Sequence, residues 1–200
     1  MFSGIIEEVG VIKALSNNNQ HITIGCSTSL QNINLGDSIA VNGVCLTIVG
    51  FDQTSFSADI MPITLDITNL KSQNVGGLVN LERSLRYGSK VGGHLISGHV
   101  RHHSPIISTS INANATLIEI ALPPEYHKFC YNKGSIAVNG ISLTIAELFD
   151  NSFMVSIIPH TWSNTNLNLV KPGDLVNIEY DLQIIQVANI LEQMKGLTHV

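Results

Sequence analysis

Basic residues are scarce in this sequence. Lys and Arg together number 10 among 200 residues, they are scattered along the chain, and the formal net charge is −5. A protein that binds the phosphates of nucleic acid needs clustered Lys and Arg, so we expect no nucleic-acid partner. Charged residues of both signs make up only 12% of the sequence. Such a low charge density favours a surface that is partly covered in an oligomer.

Long apolar runs and a targeting segment are also missing. No uninterrupted apolar stretch approaches the ~20 residues that a membrane-spanning helix needs, although 44% of the residues are hydrophobic. The opening MFSGIIEEVG carries acidic residues where a signal peptide would carry basic ones, and it has no apolar h-region. The sequence therefore predicts a cytoplasmic protein without a membrane partner.

Only three cysteines occur, Cys26, Cys45 and Cys130. Their odd number, their wide spacing and the lack of a CxxC pair argue against a disulfide framework and a zinc knuckle. The glycine-rich phosphate loops and the HExxH zinc motif are missing as well. Nucleotide binding and zinc-dependent hydrolysis are thus not indicated.

An internal repeat organises the chain. SIAVNGVCLTI covers residues 38–48 and SIAVNGISLTI covers residues 135–145, 97 positions later, with nine of the eleven letters identical. The same register continues to VGGLVNLE and KPGDLVNIE near the end of each half, whereas FSGII at the start aligns with ISGHV 94 positions later. One half therefore carries a three-residue insertion. We predict two homologous domains, 1–93 and 94–183.

Each half is predicted to be an antiparallel barrel. Asn-Gly between two β-rich runs is a strong hairpin signal, and the runs HITIGC and TLIEIAL alternate as half-buried strands do. Short strands separated by Gly, Asn and Pro turns are typical of small all-β barrels. Short helices are predicted to bridge strands at MPITLDITNLKS and IPHTWSNTNLNL.

The tail, 184–200, is predicted to be a helix without a counterpart in the first half. Its apolar residues recur at helical spacing and are Ile184, Val187, Ala188, Ile190, Leu191 and Met194. This apolar stripe packs either on its own barrel or against copies of itself in an oligomer.

A histidine cluster lies between the halves in GGHLISGHVRHH. His94 and His99 are separated by an odd number of positions, so in a strand they point to opposite faces and do not form a shared metal site. His102 and His103 fit an exposed linker. His99 aligns with Ile5, and a titratable group at an otherwise apolar repeat position indicates a specific role.

The two halves also differ at Cys45 and Ser142, which each precede Leu-Thr. A buried cysteine is often a small apolar filler, so packing and function both remain open for Cys45. The matched hydroxyls of Thr47 and Thr144 indicate matched ligand contacts. Lys133 aligns with Gly36, which is a further polar difference between the halves.

MFSGIIEEVG, the doubled NGxxLT, GGHLISGHV and the two P-x-T segments followed by TNL resemble the riboflavin synthases of the α-chain type. The resemblance covers essentially the whole chain and implies two six-stranded Greek-key barrels with a C-terminal helix that gathers three chains. It implies a dismutation of two 6,7-dimethyl-8-ribityllumazine molecules by transfer of a four-carbon unit, without cofactor or metal. The products are riboflavin and 5-amino-6-ribitylamino-pyrimidinedione, and the working pair of sites comes from neighbouring chains.

The resemblance also implies the site residues. The first site comprises Gly4, Ile5, Ile6, Cys45, Leu46, Thr47, Asp59, Ile60, Met61, Pro62, Ile63 and Thr64. The second comprises Gly98, His99, Val100, Lys133, Ser142, Leu143, Thr144, Ser156, Ile157, Ile158, Pro159, His160 and Thr161. Residues implied in turnover are Ser38, Cys45, His94 and His99.

Their chemical roles are hypotheses at this stage. His99 moves a proton to or from the acidic 7-methyl group of the lumazine, since imidazole is the commonest general acid–base group. Ser38 or Cys45 assists the addition that primes the acceptor ring. Asn139 stands where some family members carry Asp, and an amide acts only by hydrogen bonding.

Other functions stay open. Relatives of these enzymes hold a lumazine or flavin as a fluorescent antenna without catalysis, but the polar positions kept in both halves favour the enzyme. A flavin-dependent reductase on a similar barrel would need a nicotinamide domain for which no sequence remains. The sequence leaves open which site holds the donor and whether the chain joins a lumazine-synthase shell.

Overall fold

The structure, a computed structural model, describes residues 1–197 as two barrels in tandem. The first barrel consists of β1 (Glu8–Ser16), β2 (His21–Gly25), β3 (Ser38–Val41), β4 (Val44–Phe51), β5 (Ser55–Asp59) and β6 (Leu78–Arg83). The second consists of β7 (His102–Asn112), β8 (Ala115–Ala121), β9 (Ser135–Val138), β10 (Ile141–Leu148), β11 (Ser152–Ile157) and β12 (Leu175–Tyr180). The predicted tail segment, 184–200, extends three residues beyond the described part.

Helices are short except at the end of the chain. They are α1 (Pro62–Ile67), α2 (Pro159–Asn164) and α3 (Leu182–Leu197), with 3-10 helices at Thr28–Leu30, Asn69–Ser72, Pro124–Phe129 and Asn166–Leu169. The two predicted helical bridges are confirmed as α1 and α2, each followed by a 3-10 helix. A proline at the first helical position starts both α1 and α2, where its fixed φ suits the helix.

Both barrels close through the same strand order. The first runs β1-β2-β5-β4-β3-β6 and returns to β1, and the second runs β7-β8-β11-β10-β9-β12 and returns to β7. The second strand pairs with the fifth rather than the third, so the connection between them crosses in a Greek-key manner. Closure leaves no unpaired sheet edge. The predicted all-β fold of two six-stranded antiparallel barrels and a C-terminal helix is confirmed.

The doubled Asn-Gly pair forms the predicted two-residue hairpin turn in each barrel. Asn42 and Asn139 both have φ of 46°, while Gly43 and Gly140 have φ of 78° and 79°. Positive φ at both central residues is the turn geometry that matches the twist of the flanking strands.

Bulges occur at equivalent places in the two barrels and locate the inserted residues. Ile12 pairs with Ile24 next to one bulge, while Ile106 pairs with Ile120 next to the matching one. The hairpin of β7 and β8 is therefore two residues longer than that of β1 and β2. The remaining inserted residue lies between β8 and β9. The expected three-residue insertion is thus divided between two connections.

Apolar side chains fill the barrel interiors. In β4 the side chains of Val44, Leu46 and Ile48 belong to the first core and are nearly inaccessible. Those of Cys45 and Thr47 alternate to the outside, because successive residues of a strand face opposite sides. Any ligand site built on β4 is therefore on the outer surface of the barrel.

The barrels meet where the two hairpin turns touch. A Cβ added to Gly43 would be 2.6 Å from the backbone nitrogen of Gly140, and one added to Gly140 would be 2.7 Å from that of Gly43. No residue other than glycine fits such an approach without movement of the backbone. The Asn-Gly turns thus serve both the hairpins and the interface.

Six buried asparagines surround this contact, namely Asn42, Asn69 and Asn80 and, 97 positions later, Asn139, Asn166 and Asn177. Asn80 Nδ2 donates to the carbonyl of Asn139 at 3.0 Å, and Asn177 Nδ2 donates to that of Asn42 at 2.9 Å. The backbone N–H groups of Asn69 and Asn166 donate across the interface to Asn177 and Asn80. Because these bonds are directional and buried, they fix one orientation of the two barrels.

The helix α3 contacts the second barrel through one face only. Ile185 is buried in the second core, and Lys128 forms an ion pair with Glu192 at 2.5 Å. Ile185 lies outside the predicted stripe. Of the stripe, Val187, Ile190, Leu191 and Met194 are each more than half exposed, whereas Ile184 and Ala188 are partly buried. No helix within residues 1–197 is long and apolar enough to cross a membrane.

Replacing Gly140 with Ala is expected to destabilise the protein by about 1–3 kcal/mol more than replacing Gly173 with Ala. Both glycines have positive φ, but only a Cβ at Gly140 meets the other barrel, whereas nothing lies within 4 Å of one at Gly173. Urea unfolding measures the difference, and equal losses for the two variants would contradict the glycine contact.

Candidate functional site

The segment that precedes each barrel packs on the other barrel rather than on its own. The backbone N–H of Cys45 in the first barrel donates to the carbonyl of Gly98 at 2.9 Å, and that of Ser142 in the second donates to Gly4 at 2.9 Å. Val100 belongs to the first core, and Ile6 packs against the second. Each barrel's outer surface is therefore completed by the segment from the other half.

This exchange corrects the predicted grouping of the site residues. Residues 4–6 were expected with Cys45 and residues 98–100 with Ser142, since each segment was assigned to its own half. The hydrogen bonds of Gly4 and Gly98 show the opposite assignment. The physical reason is that Phe2 and Ile96 pair with each other as antiparallel chains between the barrels, which carries each segment across to the other side.

Two buried carboxylates hold the exchanged segments. Glu82 at the end of β6 accepts from the backbone and hydroxyl of Ser3 at 2.7 and 2.9 Å and from the Gly4 N–H at 3.0 Å. Glu179 at the end of β12 makes the same three bonds to Ser97 and Gly98. Burial raises the pKa of Glu82, although these hydrogen bonds oppose the shift. Sequence reasoning missed both residues, and their only signal was the repeated VNLE and VNIE.

Close packing at the crossing requires glycine. A Cβ at Gly98 would be 2.5 Å from Cβ of Cys45, and one at Gly4 would be 2.5 Å from Cβ of Ser142. Both glycines also have positive φ. The Ser-Gly pair in each segment thus supplies the hydroxyl that binds the carboxylate and the backbone that lies on the neighbouring strand.

The first surface contains a cavity of about 190 Å³. It is lined by Val44, Cys45, Thr64, Ile67, Thr68, Gly98, His99 and Val100. The structure therefore brings Cys45, Thr64 and the exchanged segment 98–100 together. Val44, Ile67 and Thr68 were not among the expected site residues, although Val44 lies within NGxxLT and Thr68 begins TNL.

Several residues expected at the first surface either lie elsewhere or have side chains that are buried in the core. The side chains of Leu46 and Ile60 are buried in the core, and Asp59 accepts a hydrogen bond from His21 at 2.6 Å. Ser38 pairs with Thr47 but lines a separate cavity of about 340 Å³. Exposed Met61, Pro62 and Ile63 form the rim at the start of α1.

The second surface has the same plan with different groups. Half-exposed Ile5 and Ile6 lie beside Ser142 and Leu143, and Thr144 is exposed on the same hairpin. The rim consists of Ser156, Ile158, Pro159, His160 and Thr161, while Ile157 is buried in the core. His94 from the linker binds Ser142, with 2.7 Å between Nδ1 and Oγ.

Lys133 occupies a strained position. It has φ of 71°, and its repeat partner Gly36 has φ of 88°. The backbone N–H of Lys133 donates to Ile145 in β10, and that of Gly36 donates to Ile48 in β4, so the turn is the same. The role expected for Lys133 in the second site stays a prediction.

Asn139 lies in the hydrogen-bond network between the two barrels. It is buried, and its Oδ1 accepts from the N–H of Asn177 at 2.8 Å and from Nδ2 of Asn69 at 3.1 Å. Asn139 thus belongs to the interface between the barrels and adds no proton-transfer group. In the part of the chain that the structure describes, no three His, Cys, Asp or Glu side chains lie close enough to hold a metal ion.

Known proteins share both the sequence and this architecture. The lumazine binding domain family matches residues 3–84 and 97–181. The riboflavin synthases of Actinobacillus pleuropneumoniae and Bacillus amyloliquefaciens are each 43% identical to this chain over 184 residues, which is 91% of this chain and 86% of each relative. The chain belongs to the riboflavin synthase family.

Solved structures of LumP have the same fold as this family member. The crystal structure of LumP complexed with riboflavin has a TM-score of 0.83 and 26% identity, covering 90% of this chain and 99% of that one. The complex with 6,7-dimethyl-8-(1'-D-ribityl) lumazine has a TM-score of 0.79 and 26% identity, covering 90% and 98%. Two lumazine binding domains per chain agree with the two like surfaces described above.

Cys45 provides a direct probe of the exchange in this riboflavin synthase family member. Burial raises the pKa of both other thiols, Cys26 and Cys130, to about 12, so at neutral pH they react slowly. Replacing Glu179 with Gln weakens the bonds that hold Ser97 and Gly98 over Cys45. We expect labelling by a thiol reagent to become about 10-fold faster, which corresponds to about 1.4 kcal/mol of lost segment docking.

Glu82→Gln is the matched control, because Glu82 makes the same bonds to the segment that lies on Ser142. It should leave the labelling rate of Cys45 close to that of the unchanged protein. Equal acceleration in both variants would mean that the segments are not exchanged as described.

Proposed function

We propose that the chain is a riboflavin synthase that converts two molecules of 6,7-dimethyl-8-ribityllumazine into riboflavin and 5-amino-6-ribitylamino-2,4(1H,3H)-pyrimidinedione. The observation that carries the proposal is the presence of two like outer surfaces, one with Cys45 and one with Ser142, in a chain 43% identical to riboflavin synthases. A reaction between two identical molecules requires two such surfaces. One lumazine gives up a four-carbon unit and the other receives it.

Alignment of the two rings is the main catalytic contribution of such a pair. Holding two reactants at contact distance replaces a collision in solution by a step within one complex, which is worth about 7–11 kcal/mol in well-oriented systems. Exposed apolar side chains stand at both rims, Met61 and Ile63 at α1 and Ile158 at α2, which suits stacking on a flat heterocycle. The hydroxyls of Thr47 and Thr144 stand at matched positions, so they suit matched polar contacts.

His99 is the proton-transfer group that we assign to the first surface. Its side chain is exposed and lines the cavity that contains Cys45 and Thr64. In that position it faces any ring bound against β4, and imidazole is suited to move a proton to or from an acidic methyl group. Cys45 stands beside it, and its half-buried side chain contacts the ring rather than forming a disulfide. The reaction as proposed uses no metal and no cofactor.

The working pair of surfaces comes from two chains. The cavity of about 190 Å³ beside Cys45 is smaller than the roughly 300–1,000 Å³ of ligand sites that bury their ligand, so a further wall is needed. The second surface of a neighbouring chain provides that wall and brings the second lumazine. The exposed apolar face of α3 supplies the contact that gathers chains, and we propose a cytoplasmic homotrimer.

Purified protein mixed with 6,7-dimethyl-8-ribityllumazine is expected to form one riboflavin for every two lumazines consumed. Absorbance of riboflavin and chromatography of the pyrimidinedione measure this ratio. Since LumP structures hold lumazine and riboflavin, the competing function is a fluorescent binding protein. Tight binding with unchanging fluorescence and no riboflavin would select that function instead.

Replacing Leu191 with Glu is expected to convert the trimer to monomers and to lower kcat at least about 10-fold. Leu191 is 54% exposed in the single chain, so the change does not disturb the barrel. Gln193→Glu adds the same charge to an exposed position outside the apolar face and should remain trimeric and active.

Sedimentation, with activity measured on the same samples, decides the outcome. A Leu191→Glu protein that stays trimeric, or a monomer with full activity, would contradict the intersubunit site. Added lumazine synthase in a parallel run tests the open question of a larger shell.

A further inference from the structure

A row of polar side chains crosses the outer surface of the first barrel. Ser38 on β3 pairs with Thr47 on β4, and His21 on β2 pairs with Asp59 on β5. The register of β4 with β5 sets Thr47 beside Asp59. Residues that lie directly opposite each other on antiparallel strands have Cβ atoms about 5 Å apart on the same face. The four side chains therefore form one continuous row.

This row lies next to the cavity that contains Cys45. Thr47 is two positions beyond Cys45 on β4, so both side chains point outward and lie about 7 Å apart along the strand. Thr47 and Asp59 are exposed, while Ser38 and His21 are partly exposed. A flat ring held against Cys45 would therefore have its ribityl chain within reach of the row.

His21 holds the Asp59 carboxylate in one orientation. Nδ1 of His21 and Oδ1 of Asp59 are 2.6 Å apart, and a carboxylate only accepts hydrogen bonds, so Nδ1 is the donor. Among the described residues the Asp59 carboxylate has no other hydrogen-bond partner. Its Oδ2 atom is thus available to the hydroxyl groups of a ligand, and a hydrogen bond to an ionised carboxylate is about twice as strong as one between neutral groups.

The equivalent row of the second barrel keeps hydroxyl groups on β9 and β10 but contains no carboxylate. Ser156 stands 97 positions after Asp59, and it pairs with Leu117, which takes the place of His21. The carboxylate and the imidazole therefore occur in the row of the first barrel only. The two surfaces can hold the same ring, but their rows offer different groups to a side chain that carries hydroxyls.

We propose that His21 is a positioning residue of the first surface, which aims the Asp59 carboxylate at the ribityl hydroxyls of a lumazine or flavin bound beside Cys45. The first surface then selects its ligand by the ribityl chain more strictly than the second surface does. Asp59 contacts the ligand, and His21 acts through Asp59. The proposal rests on the proposed function, since it takes the outer surface of the first barrel as a site of ring binding.

The test compares riboflavin with lumiflavin, which has the same ring and a methyl group in place of the ribityl chain. In the full-length protein, a Thr144→Arg background fills the exposed second surface, so that calorimetry reports the first surface. In that background, His21→Leu and Asp59→Asn should each raise the Kd for riboflavin about 10-fold, because a charge-assisted hydrogen bond is misaligned or lost. The Kd for lumiflavin should change less than about twofold.

Asp66→Asn is the matched control. Asp66 and Lys71 form another exposed ion pair of the first barrel, at 2.7 Å, in which the Asp66 side chain is 62% exposed, compared with 69% for Asp59. The substitution removes a similar charge that does not belong to the row, so it should leave both Kd values unchanged. Since exposed ion pairs add little to stability, all three variants should unfold at nearly the same urea concentration as the background.

Two results overturn the proposal. One is riboflavin binding that His21→Leu leaves unchanged. The other is an equal loss of riboflavin and lumiflavin binding, which would make the pair a support of the fold rather than of ligand selection. Failure of the proposed function looks different, because the unchanged protein would then form no riboflavin from 6,7-dimethyl-8-ribityllumazine, while the two flavins would still report on the pair.

Discussion

The rest of the structure depends on two reciprocal backbone hydrogen bonds, from Cys45 N–H to Gly98 and from Ser142 N–H to Gly4, each 2.9 Å long. They place the segment from one half on the outer surface of the other half. Only glycine at positions 4 and 98 permits this approach. Neither barrel can then complete its surface alone, and the duplicated domain forms a single unit with two like surfaces.

Buried polar groups maintain this arrangement. Glu82 and Glu179 bind the crossing segments with three hydrogen bonds each, and the asparagines around the Asn-Gly turns bind barrel to barrel. Apolar contacts would bury as much surface but tolerate sliding, whereas a displaced buried hydrogen bond leaves costly unpaired groups. The ring alignment that we propose needs that precision, because misplacement of the reacting atoms greatly lowers the rate.

Local patterns allowed the fold to be predicted, and long-range geometry limited the prediction of the site. The repeat, the Asn-Gly turns and the alternation in HITIGC are short-range features, so barrels, hairpins and bridging helices followed from them. The exchange was not predictable, since alignment places FSGII with its own half and carries no sign of the crossing. Glu82 looked like an ordinary strand residue, and the His94–Ser142 pair spans 48 positions.

The two barrels thus have like positions and unlike chemistry, and we propose that one lumazine is held on the outside of each. The most direct test is a crystal structure of the protein with a non-reacting lumazine analogue. The account predicts one analogue on each barrel's outer surface, one against Cys45 and His99 and the other against Ser142 and Ile5. An analogue inside a barrel, or on one half of the chain only, would contradict it.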